Sequence, residues 1–487
     1  MSTFVTRYRT ELLVMAGTCI ASCLTFFGSA LRYPNDDQFI LFRYIDNIAN
    51  GSGFVYTVGE RVLGATTPLF TLIGAAARFL IPDVSTPDLV AVLNIVFLSL
   101  AAVFFYKLAC ALVSKRLAFL SVAIFALGLA RTIPEGMETP LFLLTTFASL
   151  YFLYTGRHIT ASVLLALSVL TRPDAALIAL LIGIHWLAKV GVARTVRLSL
   201  IATATLLPWL AFATWYFGSF VPQSLLTKLH SSEIYLMPVL QAAQVQLAHV
   251  SRMYWGAFFD PSNIPLQIIV NLLPVLALAA LGTWFFVRKG AWLLPAIPLV
   301  YFVSFSLSNP IIFPWYLSEM EPFWILLSVA GVGVVLARVR QKIAFVLVLL
   351  LLSGPAFSFF RLATTDDPGS KVPLFNAASF VRERMDPRDT VGAADIGIVG
   401  YVTNAPLVDF IGLVSPDSVA YYPIEQPCPE GNLFYRIPPL LLKESKPAWV
   451  IANEEHIDSC FKKEEWFQTT YAQVFLEERI GVWQLRD

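Results

Sequence analysis

Charge is what this 487-residue chain has least of: 14% of its residues are charged, against 57% hydrophobic. A soluble domain carries about 25% charged residues, so most of this chain is expected to lie in a bilayer. A mean hydropathy of +0.68 agrees. The net charge is +1 and no basic tract interleaves with aromatics, which excludes a nucleic-acid groove. Cysteine is scarce as well, five in all with no CxxC pair, so a zinc ribbon or redox motif is excluded. Cys19, Cys23 and Cys110 sit in apolar runs and read as small core residues. Cys428 and Cys460 share a polar C-terminal region and are disulfide candidates in an oxidising compartment. The glycines of "GAADIGIVG" lack the dinucleotide fingerprint's spacing, which removes a nucleotide site there.

What the chain does have is long apolar runs. The first, about 19 residues, is too long for the core of a cleaved signal and reads as a retained span. Spanning windows follow the pattern 11–31, 85–113, 116–133, 138–155, 158–171, 174–189, 195–217, 264–287, 291–308, 315–337 and 342–361. The connections "SKR", "GRH", "KVGVARTVR", "VRKG" and "ARVRQK" are basic and are expected in the cytoplasm. The N-terminal "RYR" joins them only if the apolar piece 66–81 does not cross, so 66–81 is expected as an interfacial or re-entrant helix on the outer face. Asp36, Asp37, Glu135, Arg172, Lys228 and Trp315 then face outward.

Beyond residue 365 charge, Pro and Gly return. "DTVGAADIGIVGY" reads strand–turn–helix, "APLVDF" and "PAWVIAN" read as short buried strands, and "YAQVFLEERIGVWQLR" as a terminal hairpin. The expected fold is therefore a polytopic α-helical membrane protein of about eleven transmembrane helices, with interfacial helices in its first outer loop and a small C-terminal α/β extracytoplasmic domain. Residues 1–365 form the membrane module, with a first outer loop 32–84 and a long outer loop 218–263, and 366–487 the soluble domain.

Two adjacent carboxylates open the first outer loop in "YPNDDQFILFRYIDNIANGSG". Apolar residues recur helically from Phe39 to Ile48, Asn35 or Asp36 is placed to cap the start, and Gly51 and Gly53 to stop it. Such a helix is expected flat on the membrane, with Asp36 and Asp37 at an N-terminus that favours negative charge. Ionisable groups crowd the same outer face, and groups at membrane ends that face the bundle are functional candidates. Glu138 is one, or equally the cap of the helix Pro140 begins. Arg172 is another, or a partner for Asp174 across a helix break. Lys228 and His230 are candidates or solvated loop residues, while Trp315 and Tyr316 fit an aromatic belt as well as a ligand contact. His185 and His249 stand alone without a role.

A base at the outer membrane surface suits attack by a hydroxyl on an activated carbon. Outside the cell a sugar donor must arrive on a lipid carrier, and its leaving phosphate needs cations, which Lys228, His230 and Arg172 supply. An aspartate deprotonates the acceptor as bonds change.

The run "DDQFILFRYIDNIANGSGFVYTVGERVLGATTPLFTLIGA" resembles the signature of C-type membrane glycosyltransferases (the GT-C fold), in the branch that includes mycobacterial terminal arabinofuranosyltransferases. The matching positions are Asp36-Asp37, Arg43-Tyr44, Asn47, Gly51 and Gly53, Gly59 to Val62, and Thr67 to Leu69. "GMETPLF", "LTRPDA", "TKLH", "PWYL" and "DIGIVGYVTNAPLVDFIGL" are similar too. The resemblance implies a polyprenyl-phosphate-linked sugar donor, a glycan, lipid or protein acceptor, and the bacterial inner (cytoplasmic) membrane with an extracytoplasmic active site. It implies Asp36 as the base, with Asp37 second, and phosphate contacts at Lys228 and His230. Arg172, Arg43, Glu138 and Tyr316 join them as substrate-binding candidates. Some relatives bind a divalent cation near the donor phosphate, for which Asp36 or Asp37 is the available ligand. The alternatives are a transporter or flippase of lipid-linked glycans, which would favour charges near the midplane and interrupted helices, and a ligase or polymerase on a similar scaffold.

Overall fold

The computed structural model describes residues 8–28, 35–230, 238–254, 271–308, 312–339, 341–365, 371–422, 424, 437–454, 462 and 464–486, without side chains at 228–230, 314, 341–345 and 347. A helix occupies each of the eleven expected windows. Four helical stretches, Arg9–Gly28, Thr86–Leu112, Pro173–Val190 and Val192–Phe217, are long and apolar enough to cross a membrane, and shorter apolar helices accompany them. Cys428 and Cys460, and with them the candidate disulfide, lie outside the described residues.

The chain divides into two compact units. The first comprises residues 1–31, 91–208 and 237–367. Its core is aromatic: Phe105 stacks on Phe125 at 5.0 Å and meets Phe147 edge-on at 5.0 Å, and Phe147 lies 5.2 Å from Phe323. Leu273–Arg288 and Glu321–Leu336 cross closely, because a side chain at Gly331 would begin 2.0 Å from the carbonyl oxygen of Leu278. Small residues at such crossings let backbones approach where no hydrophobic force separates helix from lipid. Val192, Val196, Leu200 and Leu207 are exposed along one helix, as a lipid-facing wall requires.

The second unit gathers residues 32–90, 209–236 and 368–487. The C-terminal strands form where the sequence places them: β1 Val391–Ala393, β2 Leu407–Asp409, β3 Trp449–Asn453, β4 Tyr471–Glu477 and β5 Ile480–Leu485. They make one sheet in the order β2-β1-β3-β5-β4. β1 runs parallel to β2 and β3, with Gly392 opposite Val408 and Val450, while β5 runs antiparallel to β3 and to β4. Between β1 and β2 the chain makes the helix Ile396–Thr403, ended by Asn404 in the left-handed conformation. Phe410, Leu442, Val450, Phe467 and Trp483 fill one face of the sheet.

Packed into the same unit are the helices of the first loop, Asp37–Ala49 and Pro68–Leu80. The first does not turn its apolar face to lipid as expected. Phe39, Ile40, Leu41, Phe42, Tyr44 and Ile45 are all buried, so they meet protein rather than lipid. Phe39 lies 5.2 Å from Phe375 and 5.3 Å from Tyr401, ring centre to ring centre. Pro68–Leu80 buries one side: Phe70, Thr71, Gly74 and Ala75 are buried, while Leu72, Phe79 and Leu80 are exposed. Asp46 ties the two together, taking a 3.1 Å bond from Arg78 Nε and a 2.5 Å bond from the Thr86 hydroxyl.

Candidate active site

The predicted residues fall into two groups, each inside one unit. In the second unit, Asp36 stands at the head of the Asp37–Ala49 helix but does not cap it by its side chain. Its Oδ2 instead accepts a 2.7 Å bond from the Gly397 N–H and its Oδ1 a 2.7 Å bond from the Ile398 N–H. The residue is 9% exposed. Burial, and then the charge of Asp395, push its pKa up to about 7, while Lys371 and the Ile398 N–H pull the other way. Asp37 is half-buried.

Two turns further on, Arg43 is buried, its guanidinium 4.3 Å above the Tyr56 ring, and its Nη2 donates to the Ala405 carbonyl at 2.7 Å. Tyr56 Oη donates to the Ile396 carbonyl at 2.5 Å. Asn47 donates to the carbonyls of Val55 and Tyr56, at 2.9 and 3.0 Å, and so closes the loop that "NGSGFVY" makes. Arg43 thus holds protein groups. Lys228 and His230 stand on the helix Gln223–His230, and their side chains lie outside the described residues. That helix is anchored by Thr227, whose hydroxyl donates to the Gly412 carbonyl at 2.7 Å.

In the first unit Arg172 gathers three carboxylates. Its Nη1 is 2.6 Å from Glu138 Oε1, and its Nε is 3.1 Å from Asp174 Oδ1 and 2.8 Å from Glu319 Oε1. Tyr316 lies under the same guanidinium, 5.3 Å from its centre. The expected pairing of Arg172 with Asp174 is present, but the helix Thr139–Tyr154 gets no side-chain cap from Glu138, whose carboxylate turns to Arg172. Three carboxyl groups around one guanidinium carry more acid than base, so a proton or an added cation balances them.

Sequence reasoning missed a neighbouring group. Glu321 receives both Arg131 and His249, the latter at 2.6 Å, and the Ser318 hydroxyl lies 3.0 Å from Arg131 Nη2. Burial pushes the half-buried Glu135 beside them up to about 7, with Arg131 opposing and Glu321 assisting. The available signal was "SEMEPF", two acids set in an apolar wall. His249, read as standing alone, is the partner of Glu321.

No three His, Cys, Asp or Glu side chains gather in a metal-holding group among the described residues. Asp36, a candidate ligand, has both oxygens engaged by backbone N–H groups.

The comparisons agree with this architecture. Residues 367–484 match a family model described as a domain of unknown function, DUF8728. No curated protein matches the chain in sequence. Solved structures of two proteins, among others, share its fold over nearly its whole length. ArnT from Cupriavidus metallidurans bound to undecaprenyl phosphate is 13% identical, with a TM-score of 0.60 over 98% of each chain. The archaeal oligosaccharyltransferase AglB from Archaeoglobus fulgidus, in complex with an inhibitory peptide and a dolichol-phosphate, is 12% identical, with a TM-score of 0.59 over 93% of this chain and 70% of that one. The chain therefore shares the fold of these two proteins.

Proposed function

We propose that the chain is a membrane glycosyltransferase. It takes a sugar from a polyprenyl-phosphate-linked donor and places it on a hydroxyl acceptor at the extracytoplasmic face. The carrying observation is the fold shared end to end with a protein bound to undecaprenyl phosphate. The acid pair at the start of the first loop supports it. In the proposed reaction an aspartate of that pair takes the acceptor proton as the hydroxyl oxygen attacks the anomeric carbon. The bond from that carbon to the phosphate oxygen breaks, and the lipid phosphate leaves with the electron pair. Lys228 and His230 are the cations assigned to the charge it gains. Three carboxylates already ring Arg172 and would repel a phosphate. We therefore assign Arg172, Glu138 and Tyr316 to holding helix ends together, and Arg43 to holding the loop.

About eleven crossings, with residues 366–487 outside the bacterial inner membrane, belong to the same proposal, as does the arabinofuranosyltransferase-like branch. A second reading, transfer of a whole glycan, is supported by the comparable likeness to AglB. The acceptor is a glycan, lipid or protein. Native mass spectrometry of the purified protein with undecaprenyl phosphate tests the donor side. One retained lipid phosphate per chain, released on Lys228→Ala, is expected. Retention equal to that of a neutral polyprenol would overturn it.

A further inference from the structure

We propose that Asp36 is a positioning residue and that Asp37 is the acid that meets the acceptor hydroxyl. This rests on the reading of the acid pair as the reacting centre.

The helix Ile396–Thr403 has Asp395 at its N-cap, yet Asp395 makes no side-chain cap. Its carboxylate lies 3.4 Å from Lys371 Nζ instead. The N–H groups that a capping side chain takes are those of the second and third helical residues, here Gly397 and Ile398. Asp36 takes both, from 361 residues earlier in the chain. The helix is thus capped by a residue of the first loop, and the anion sits at the helix's positive end.

The opposite end has the opposite charge. Arg43 donates to the carbonyl of Ala405, just past the last turn, where cations are favoured. Asp36 and Arg43 are seven residues apart, two turns of one helix face, or about 10.5 Å of rise. The eight-residue partner helix is about 12 Å long. The two charges are therefore spaced to grip its two ends.

Between them two glycines allow a close approach. A side chain at Gly397 would begin 1.9 Å from the Asp36 carbonyl oxygen, and one at Gly400 would begin 1.8 Å from Tyr56 Oη. Both glycines of "DIGIVG" are needed for the approach. The motif that fits no nucleotide fits the first loop. Both Asp36 oxygens accept backbone bonds at 2.7 Å and the residue is 9% exposed, so it is committed to the grip, while Asp37 is less buried. Asp37, about 100° further round the helix, is held in place by it.

Hydrogen exchange on the full-length protein in lipid nanodiscs tests this, beside glycan mass spectrometry of cells carrying each variant. Asp36→Asn and Gly397→Ala are each expected to speed exchange at the Gly397 and Ile398 amides about tenfold or more, with β3 and β5 unchanged. Both are expected to retain reduced product, because Asp37 remains. Asp37→Asn is expected to abolish product without changing that exchange. Unchanged protection in Asp36→Asn would remove the grip. Abolished product in Asp36→Asn, beside residual product in an equally loosened Gly397→Ala, would make Asp36 the reacting acid. The expected exchange pattern with normal glycans in every variant would leave the grip standing and remove both Asp37's role and the proposed function.

Discussion

The two units treat buried acid in opposite ways. In the second, one carboxylate, Asp36, is spread over two neutral backbone N–H groups. In the first, three carboxylates, Glu138, Asp174 and Glu319, converge on a single guanidinium. The first arrangement depends on backbone geometry and is lost when a glycine gains a side chain. The second depends on charge and is lost when the cation goes. An acid held by backbone is a device for placing chain segments. An acid crowded with others around one cation is a strut that tolerates little change in charge.

Removing the cation should have the largest effect. Arg172→Ala leaves three carboxyl groups without their partner and is expected to destabilise the protein by about 3–5 kcal/mol, read as a lower thermal midpoint in detergent. A variant that unfolds like the wild type but binds lipid phosphate poorly would move Arg172 from strut to ligand. Gly400→Ala comes next. The added carbon meets Tyr56 Oη, and a cost of about 1–3 kcal/mol is expected, seen as faster exchange in the Ile396–Thr403 helix. Normal exchange there would mean that the glycine is dispensable.

The contrast extends to pH. Asp36's carboxyl is raised to about 7 by burial and Asp395, so the folded state binds its proton more tightly than the unfolded chain does. Stability should then fall as pH rises from about 4 to 7, and level off above that. Asp36→Asn should flatten the Asp36 part of that slope, read as the wild-type minus variant difference in unfolding free energy. Equal slopes in both proteins would contradict the assignment. The smallest effect is expected at Lys228→Ala: about tenfold weaker binding of undecaprenyl phosphate, the scale of one charge-assisted hydrogen bond, with an unchanged midpoint. Unchanged affinity would leave Lys228 a solvated residue.

These contrasts also separate what a single sequence carries from what it does not. The Trp449–Asn453 strand and the Tyr471–Leu485 hairpin were legible because strand alternation and turn residues are local. The apolar windows were legible for the same reason. Asp36 and Asp37 stood out as acids beside an apolar wall. The partner of Asp36 could not be read, because nothing in "DIGIVG" names a carboxylate 361 residues away. The lipid contact expected for the first-loop helix failed similarly. Its apolar face was visible, but an apolar face is satisfied equally by lipid and by the Phe375 and Tyr401 rings it meets. Glu138 read equally as a cap and as a binding candidate, and the cap gave way to a guanidinium within reach, which offers the stronger bond.

The most direct measurement is mass spectrometry of envelope glycans from cells with the intact chain, without it, and with Asp37→Asn expressed at the same level. The account predicts that the last two lose the same sugar-sized mass increment while undecaprenyl phosphate still binds the purified variant. Identical glycans in all three would contradict it.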